Sequence, residues 1–205
     1  MGKKVCVFAA SSPGIHQDYL DAGREMAKIL VRHNYAMNFG AGSVGIMGAM
    51  ADEMLAMKST VNGIIPGFME KMGWTHPGLL NVQVVETMHE RKLLMMKDVD
   101  AIISMPGGVG TLEELLEAIT LKQLGQFLKP IVILNTNNFY EPLLRQFEEM
   151  IRQNFMRPLH GKIWQVAEKP SEVLELIENE PDWDPLTIKF AAVEANQGRV
   201  RTSGQ

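Results

Sequence analysis

One cysteine, Cys6, is all the thiol chemistry available to this 205-residue chain. A single thiol excludes an internal disulfide and any cysteine-based zinc site. Its place in the apolar run VCVFAA marks it as a buried strand residue rather than a nucleophile. A basic run is also missing: Lys and Arg are scattered and the formal net charge is −4, so the electrostatic footprint of a nucleic-acid binder is not there. No apolar stretch approaches the roughly 20 residues that a membrane helix needs. The opening MGKK runs into an apolar segment too short for a secretion signal and without a cleavage site. These absences predict a cytoplasmic protein with a small-molecule partner, and neither nucleic acid nor membrane among its partners. Internal repeats, low-complexity blocks and linkers are lacking too, and the length suits one domain, assigned to residues 3–180. From Glu194 the composition shifts to EANQGRVRTSGQ, so 194–205 reads as a frayed, flexible tail.

What the chain has is an alternation of short apolar runs and amphipathic stretches. KKVCVFAA, YAMNFG, TVNGIIP, NVQVVE, AIISMP, PIVILNT and IWQVAE read as strands. Between them, helices are predicted over about 18–32, 44–58, 88–97, 112–124, 140–154 and 171–178. Largely apolar strands separated by helices imply an α/β domain, a Rossmann-like, doubly wound, mostly parallel sheet with helices on both faces. Ligands bind such sheets beyond the carboxyl ends of the strands, so the loops after Ala10, Phe39, Ile65, Glu86 and Pro106 should line one crevice. Segment 67–78 has no clear period and reads either as a mobile loop over the site or as a plain connector. Fifteen methionines, several in MGAMADEMLAM and LLMM, suit flexible core packing and a helix-mediated dimer interface alike.

Three stretches can carry chemistry. PGGVGT follows an apolar strand and opens a helix, where glycines admit close backbone approach and unpaired N–H groups favour an anion. It is neither a Walker A loop nor the dinucleotide fingerprint. Thr111 and Glu114 also have the spacing of a capping box, which would give Glu114 a local structural task; Glu113 and Glu117 read as solvated or as favourable to the helix dipole. FGAGSVGIMG makes a second turn of the same kind, with tight packing as its alternative explanation. ETMHERK sets Arg91 and Lys92 on the same rim, where an arginine can clamp phosphate in two-pronged fashion, although an exposed charged helix start would spell the same letters. His89 reads as a surface residue. No Ser-His-Asp arrangement or metal-ligand spacing occurs.

Together, MHERK and PGGVGTLEE resemble the M-x-x-R-K and P-G-G-x-G-T-x-x-E signature of the Lonely Guy family, often mislabelled as lysine decarboxylases. The likeness extends through VCVFAASS and FGAGSVGIMGAMA, over residues 3 to about 180. The resemblance implies a phosphoribohydrolase that cleaves the N-glycosidic bond of a purine nucleoside 5′-monophosphate, N6-modified or plain AMP, to the free base and ribose 5-phosphate. It implies Arg91 and Glu114 as the catalytic pair. Nucleotide would be held by Lys92, Gly107, Gly108, Val109, Gly110 and Thr111, with Ser12, Gly42 and Ser43 on the neighbouring loops. A homodimer is implied, with no cofactor and no metal. The sequence departs from the family in AASS for the usual C-G-S-S and in GAGS for GGGS, where Ala41 takes a positive φ less cheaply than glycine. Two rival functions remain: a nucleotide sensor without chemistry, and a phosphotransfer enzyme, for which Asp98 and Asp100 are the nearby acids but at the opposite end of a strand.

Overall fold

The computed structural model describes residues 2–181, 183, 184 and 186; the tail expected over 194–205 lies outside them. Seven strands run β1 (Lys3–Phe8), β2 (Tyr35–Phe39), β3 (Val61–Pro66), β4 (Asn81–Val85), β5 (Ala101–Ser104), β6 (Ile131–Leu134) and β7 (Gln165–Ala167). Between and after them lie α1 (Gln17–Arg32), α2 (Gly45–Ala56), α3 (Gly67–Lys71), α4 (Met88–Met96), α5 (Val109–Gln123), α6 (Glu141–Arg152) and α7 (Val173–Asn179). All strand pairs are parallel, in the order β4-β3-β2-β1-β5-β6-β7. This is the doubly wound architecture that the strand–helix alternation predicts.

Strand alternation explains the two cores. Successive side chains of a strand point to opposite faces, so Val5 and Val7 of β1 join Met26, Leu30, Ile46 and Met50 beneath α1 and α2. Cys6 and Phe8 point the other way, to Met95, Leu115, Ile119 and Phe147 of α4, α5 and α6. Each fully buried side chain of this kind stabilises the fold by roughly 1.5–3 kcal/mol. Of the methionines in MGAMADEMLAM and LLMM, Met50, Met54, Met95 and Met96 are core residues, Met47 is partly buried and Met57 is exposed. Cys6 is fully buried, and burial pushes its thiol pKa well up, which suits packing and not nucleophilic attack.

From β1 the chain winds outward through β2, β3 and β4, then returns through α4 to place β5 on the other side of β1. The loops after β1 and β5 therefore diverge at a topological switch point, where open parallel sheets bind ligands. Three elements differ from the sequence expectation. The helix expected from Leu112 begins at Val109, because its first turn faces the crevice and has no apolar side to show a period. Residues 67–71, expected to be irregular, form the single helical turn α3, too short to reveal periodicity. β4 is largely exposed, as an edge strand with one neighbour.

Candidate active site

The Pro-Gly-Gly loop leaves β5 and enters α5 through Gly108, whose extended backbone is the N-cap, and no side chain caps the helix. The capping box expected between Thr111 and Glu114 is therefore not formed. Because α5 starts at Val109, Thr111 is already inside the first turn, and Glu114 turns inward to another partner. The leading N–H groups of α5 are left without intrahelical acceptors, next to exposed Gly108, Val109 and Gly110. A Cβ at Gly108 or Gly110 would meet nothing within 4 Å, whereas one at Gly107 would lie 2.1 Å from Thr111 Oγ1. The first two glycines named keep space open above the helix end, and Gly107 lets Thr111 fold beneath the loop. An uncapped, exposed helix start of this kind is a seat for phosphate.

Tyr140 supports that loop from below. Its buried hydroxyl donates to the carbonyl of Met105 at 2.6 Å and lies 3.0 Å from Ser104 Oγ. Burial pushes the phenol up to about 12, so it stays a donor. Nothing in the sequence singles out Tyr140, since its partners come from a strand more than thirty residues earlier.

Arg91 and Glu114 meet. Arg91 Nη1 donates to Glu114 Oε1 at 2.9 Å, both side chains are almost completely buried, and Arg91 Nε donates to the carbonyl of Ile64 at 3.2 Å. The α4 start is thus not the exposed charged turn that its letters also allow. Thr87 caps α4 by accepting from Glu90 N–H at 3.1 Å, which fixes the helix that carries Arg91. A Cβ at Gly40 would sit 1.9 Å from Arg91 Nη2, so the loop after β2 must be glycine there for the guanidinium to fit. Burial raises the Glu114 carboxyl from its usual 4.5 to about 7, against the downward pull of the Arg91 charge. At neutral pH the group is divided between acid and carboxylate, as suits a proton acceptor.

Lys92, the next residue, is also buried, and its ammonium contacts the carboxylates of Glu113 and Glu117 on α5. Those two glutamates, expected to be solvated, are half-exposed partners of a cation. His89 is on the surface, as expected, and Asp100 caps the far end of β1 by accepting from Lys4 N–H at 2.7 Å. Among the described residues no group of three His, Cys, Asp or Glu side chains is placed to hold a metal ion.

An apolar cavity of about 230 Å³ is lined by Ser11, Gly42, Ser43, Val44, Met47, Ile65, Met69 and Trp74. Cavity and pair draw on neighbouring positions of the same two segments: the Ile64 carbonyl holds Arg91 and Ile65 lines the cavity, while Gly40 abuts Arg91 and Gly42 and Ser43 line the cavity. A larger cavity of about 650 Å³ opens beside Lys4, Lys97 and Asp98; neither Arg91 nor Glu114 lines it. Ser12 is exposed on the loop after β1, and a Cβ at Gly45 (φ +66°) would come 2.8 Å from its backbone nitrogen. Ala41 does take the left-handed backbone that the glycine of the usual motif would provide, at φ 62°. Trp74 and Met69 come from the segment without period, and their contribution to a cavity has no sequence signal beyond an isolated tryptophan between glycines.

With this geometry in view, comparison with known proteins is informative. Residues 47–177 match the family model described as "Possible lysine decarboxylase". The chain is 39% identical over 176 residues to the Oryza sativa subsp. japonica protein named "Probable cytokinin riboside 5'-monophosphate phosphoribohydrolase LOGL2", covering 86% of this chain and 72% of that one. It is 35% identical over 196 residues to the cytokinin riboside 5'-monophosphate phosphoribohydrolase LOG7 of Arabidopsis thaliana, covering 95% and 90%. Among solved structures, the molybdenum cofactor binding protein from Rippkaea orientalis superimposes with a TM-score of 0.66 at 18% identity, over 87% of this chain and 96% of that one, which shows a shared fold. The residues that carry the Arg91–Glu114 pair and the uncapped α5 loop lie within the matched region, and the chain belongs to the Lonely Guy family, that of the cytokinin riboside 5′-monophosphate phosphoribohydrolases.

Proposed function

We propose that this crevice hydrolyses the N-glycosidic bond of a purine nucleoside 5′-monophosphate, plain or N6-substituted, giving the free base and ribose 5-phosphate. The observation that carries the reading is the buried Arg91–Glu114 pair beside the open amino end of α5. The phosphate sits on the N–H groups of Gly108 to Thr111, which anchors the ribose. The base lies toward the cavity of Ile65, Met69 and Trp74. Ser12, Gly42 and Ser43 border the nucleotide, and Lys92, held on Glu113 and Glu117, adds positive charge to the same rim.

As the bond between C1′ and the base nitrogen breaks, its electron pair leaves with the base and the ribose becomes oxocarbenium-like. Ionised Glu114 stabilises that cation and takes a proton from the water that attacks C1′, the service carboxylates give in glycoside hydrolysis. Arg91 keeps its proton; it orients the nucleotide and offsets the charge developing on the base, which takes up a proton from solvent. The decarboxylase description finds no support in the side chains. A Schiff-base lysine must present a free amine to the ligand, yet the buried lysines Lys92 and Lys122 are each engaged by glutamate, and Lys122 lies at the far end of α5.

A homodimer fits the surface: Leu93 of α4 and Leu116 of α5 are exposed apolar side chains close to the site, and Val84 is exposed on the edge strand β4. Incubation with AMP, N6-isopentenyl-AMP, GMP and CMP, with adenosine as the unphosphorylated control, tests the reading by chromatography of released base. Release that needs the 5′-phosphate and disappears in Glu114→Gln supports it; binding without release leaves a nucleotide sensor.

A further inference from the structure

The segment after α3 is fastened at several points to the loop that opens α2. Thr75 forms an isolated antiparallel bridge with Gly42, and His76 N–H donates to the carbonyl of Ala41 at 2.8 Å. The His76 ring is buried. Its Nδ1 accepts from Gly78 N–H at 3.1 Å, which assigns the ring proton of the neutral imidazole to Nε2. Nε2 lies 3.0 Å from Asp52 Oδ1, on the exposed side of α2. One imidazole thus connects the turn 76–78, the helix α2 and, through its own backbone, the Ala41–Gly42 loop. Packing there is close, since a Cβ at Gly78 would come 3.2 Å from His76 Cε1 and 3.3 Å from Leu55 on α2.

The segment this imidazole fastens also supplies a residue to the apolar cavity. Trp74 is two residues before it, half-exposed, Met69 is on α3, and Met47 is on α2, the helix at the other end of the bond to Asp52; all three line the cavity. Resting on the nucleotide hydrolysis proposed above, we propose that His76, seated on Asp52, is a positioning residue for base selection: it sets the distance between Trp74 and α2, and thereby the room for an apolar substituent on the purine. A hydrophobic pocket discriminates by fit, and misplacing one wall changes the affinity for a bulky ligand more than for one that does not reach it.

The test separates this from simple loss of fold and from failure of the hydrolase reading. In a Glu114→Gln background, which on the reading above should not turn over, calorimetry gives Kd for AMP and for N6-isopentenyl-AMP with and without His76→Ala. The expected result is about tenfold weaker binding of the N6-substituted nucleotide with AMP altered less than about threefold. Amide exchange should be faster over residues 74–79 and unchanged in α5. His76→Asn, whose side-chain oxygen can still accept from Gly78 N–H, should recover part of the ratio, and Asp52→Ala should lose part of it. An unchanged ratio between the two nucleotides, or unchanged exchange over 74–79, overturns the role of His76. Absence of nucleotide binding already in the parent protein instead overturns the hydrolase reading, and the positioning role with it.

Discussion

Wild-type stability and wild-type activity should depend on pH in opposite directions, and Glu114→Gln should remove the stability dependence. A carboxyl whose pKa is higher in the folded than in the unfolded chain binds its proton more tightly when folded. Its contribution to stability is therefore complete below about 4.5 and is lost as the pH rises toward about 7. At about 1.4 kcal/mol per pH unit, that interval corresponds to roughly 3 kcal/mol of stability given up between pH 5 and pH 8. Both carboxyl and guanidinium are nearly inaccessible, so solvent screening takes little from this figure. Urea unfolding at pH 5, 6, 7 and 8 should show the wild-type midpoint falling by about 1 M more than that of Glu114→Gln, given an m-value of a few kcal/mol/M. Over the same range wild-type kcat/KM should climb about tenfold per pH unit and level off above 7, because the carboxylate is the active form. Parallel stability slopes for wild type and variant would refute the claim that burial holds Glu114 partly protonated, and with it the account of its readiness to accept a proton.

Three further outcomes follow from the contacts. Gly40→Ala places a methyl 1.9 Å from Arg91 Nη2, so the guanidinium must leave Glu114; kcat/KM should fall about 100-fold or more and thermal unfolding should show a loss of about 3 kcal/mol from the orphaned buried charge. Gly108→Ala and Gly107→Ala should diverge: the first meets open space and should raise KM by about tenfold with stability within about 1 kcal/mol, whereas the second, 2.1 Å from Thr111 Oγ1, should cost about 1–3 kcal/mol by overpacking. Tyr140→Phe removes the donor to the Met105 carbonyl and should cost about 1 kcal/mol with a several-fold rise in KM, read by denaturation and steady-state kinetics.

The strands announced themselves because both faces of a central parallel strand are covered, which leaves runs such as VCVF and AIIS uniformly apolar. Helices with a clear apolar stripe were equally visible. The first turn of α5 was not, since Val109 and Gly110 face the crevice and pack on nothing, and that hidden turn produced the mistaken capping box at Thr111 and Glu114. Arg91 and Glu114 stood out through the spacing of their motifs, but their burial and mutual bond depend on α4 and α5 lying side by side, which no local pattern encodes. Tyr140, His76 and Trp74 had weaker signals still, because each acts through partners brought close by the sheet order and not by the chain.

Ala41 has a consequence for how this chain can be altered over time. Its methyl, on a left-handed backbone, occupies the space beside Gly63, where a new Cβ would arrive 2.8 Å away. The two positions are therefore linked in the order in which they can change. Leu79 Cδ1 stands at the same 2.8 Å, so a library that admits a side chain at 63 should recover it mainly in molecules carrying both glycine at 41 and a smaller or shifted side chain at 79, and scores from single substitutions will mislead about the set.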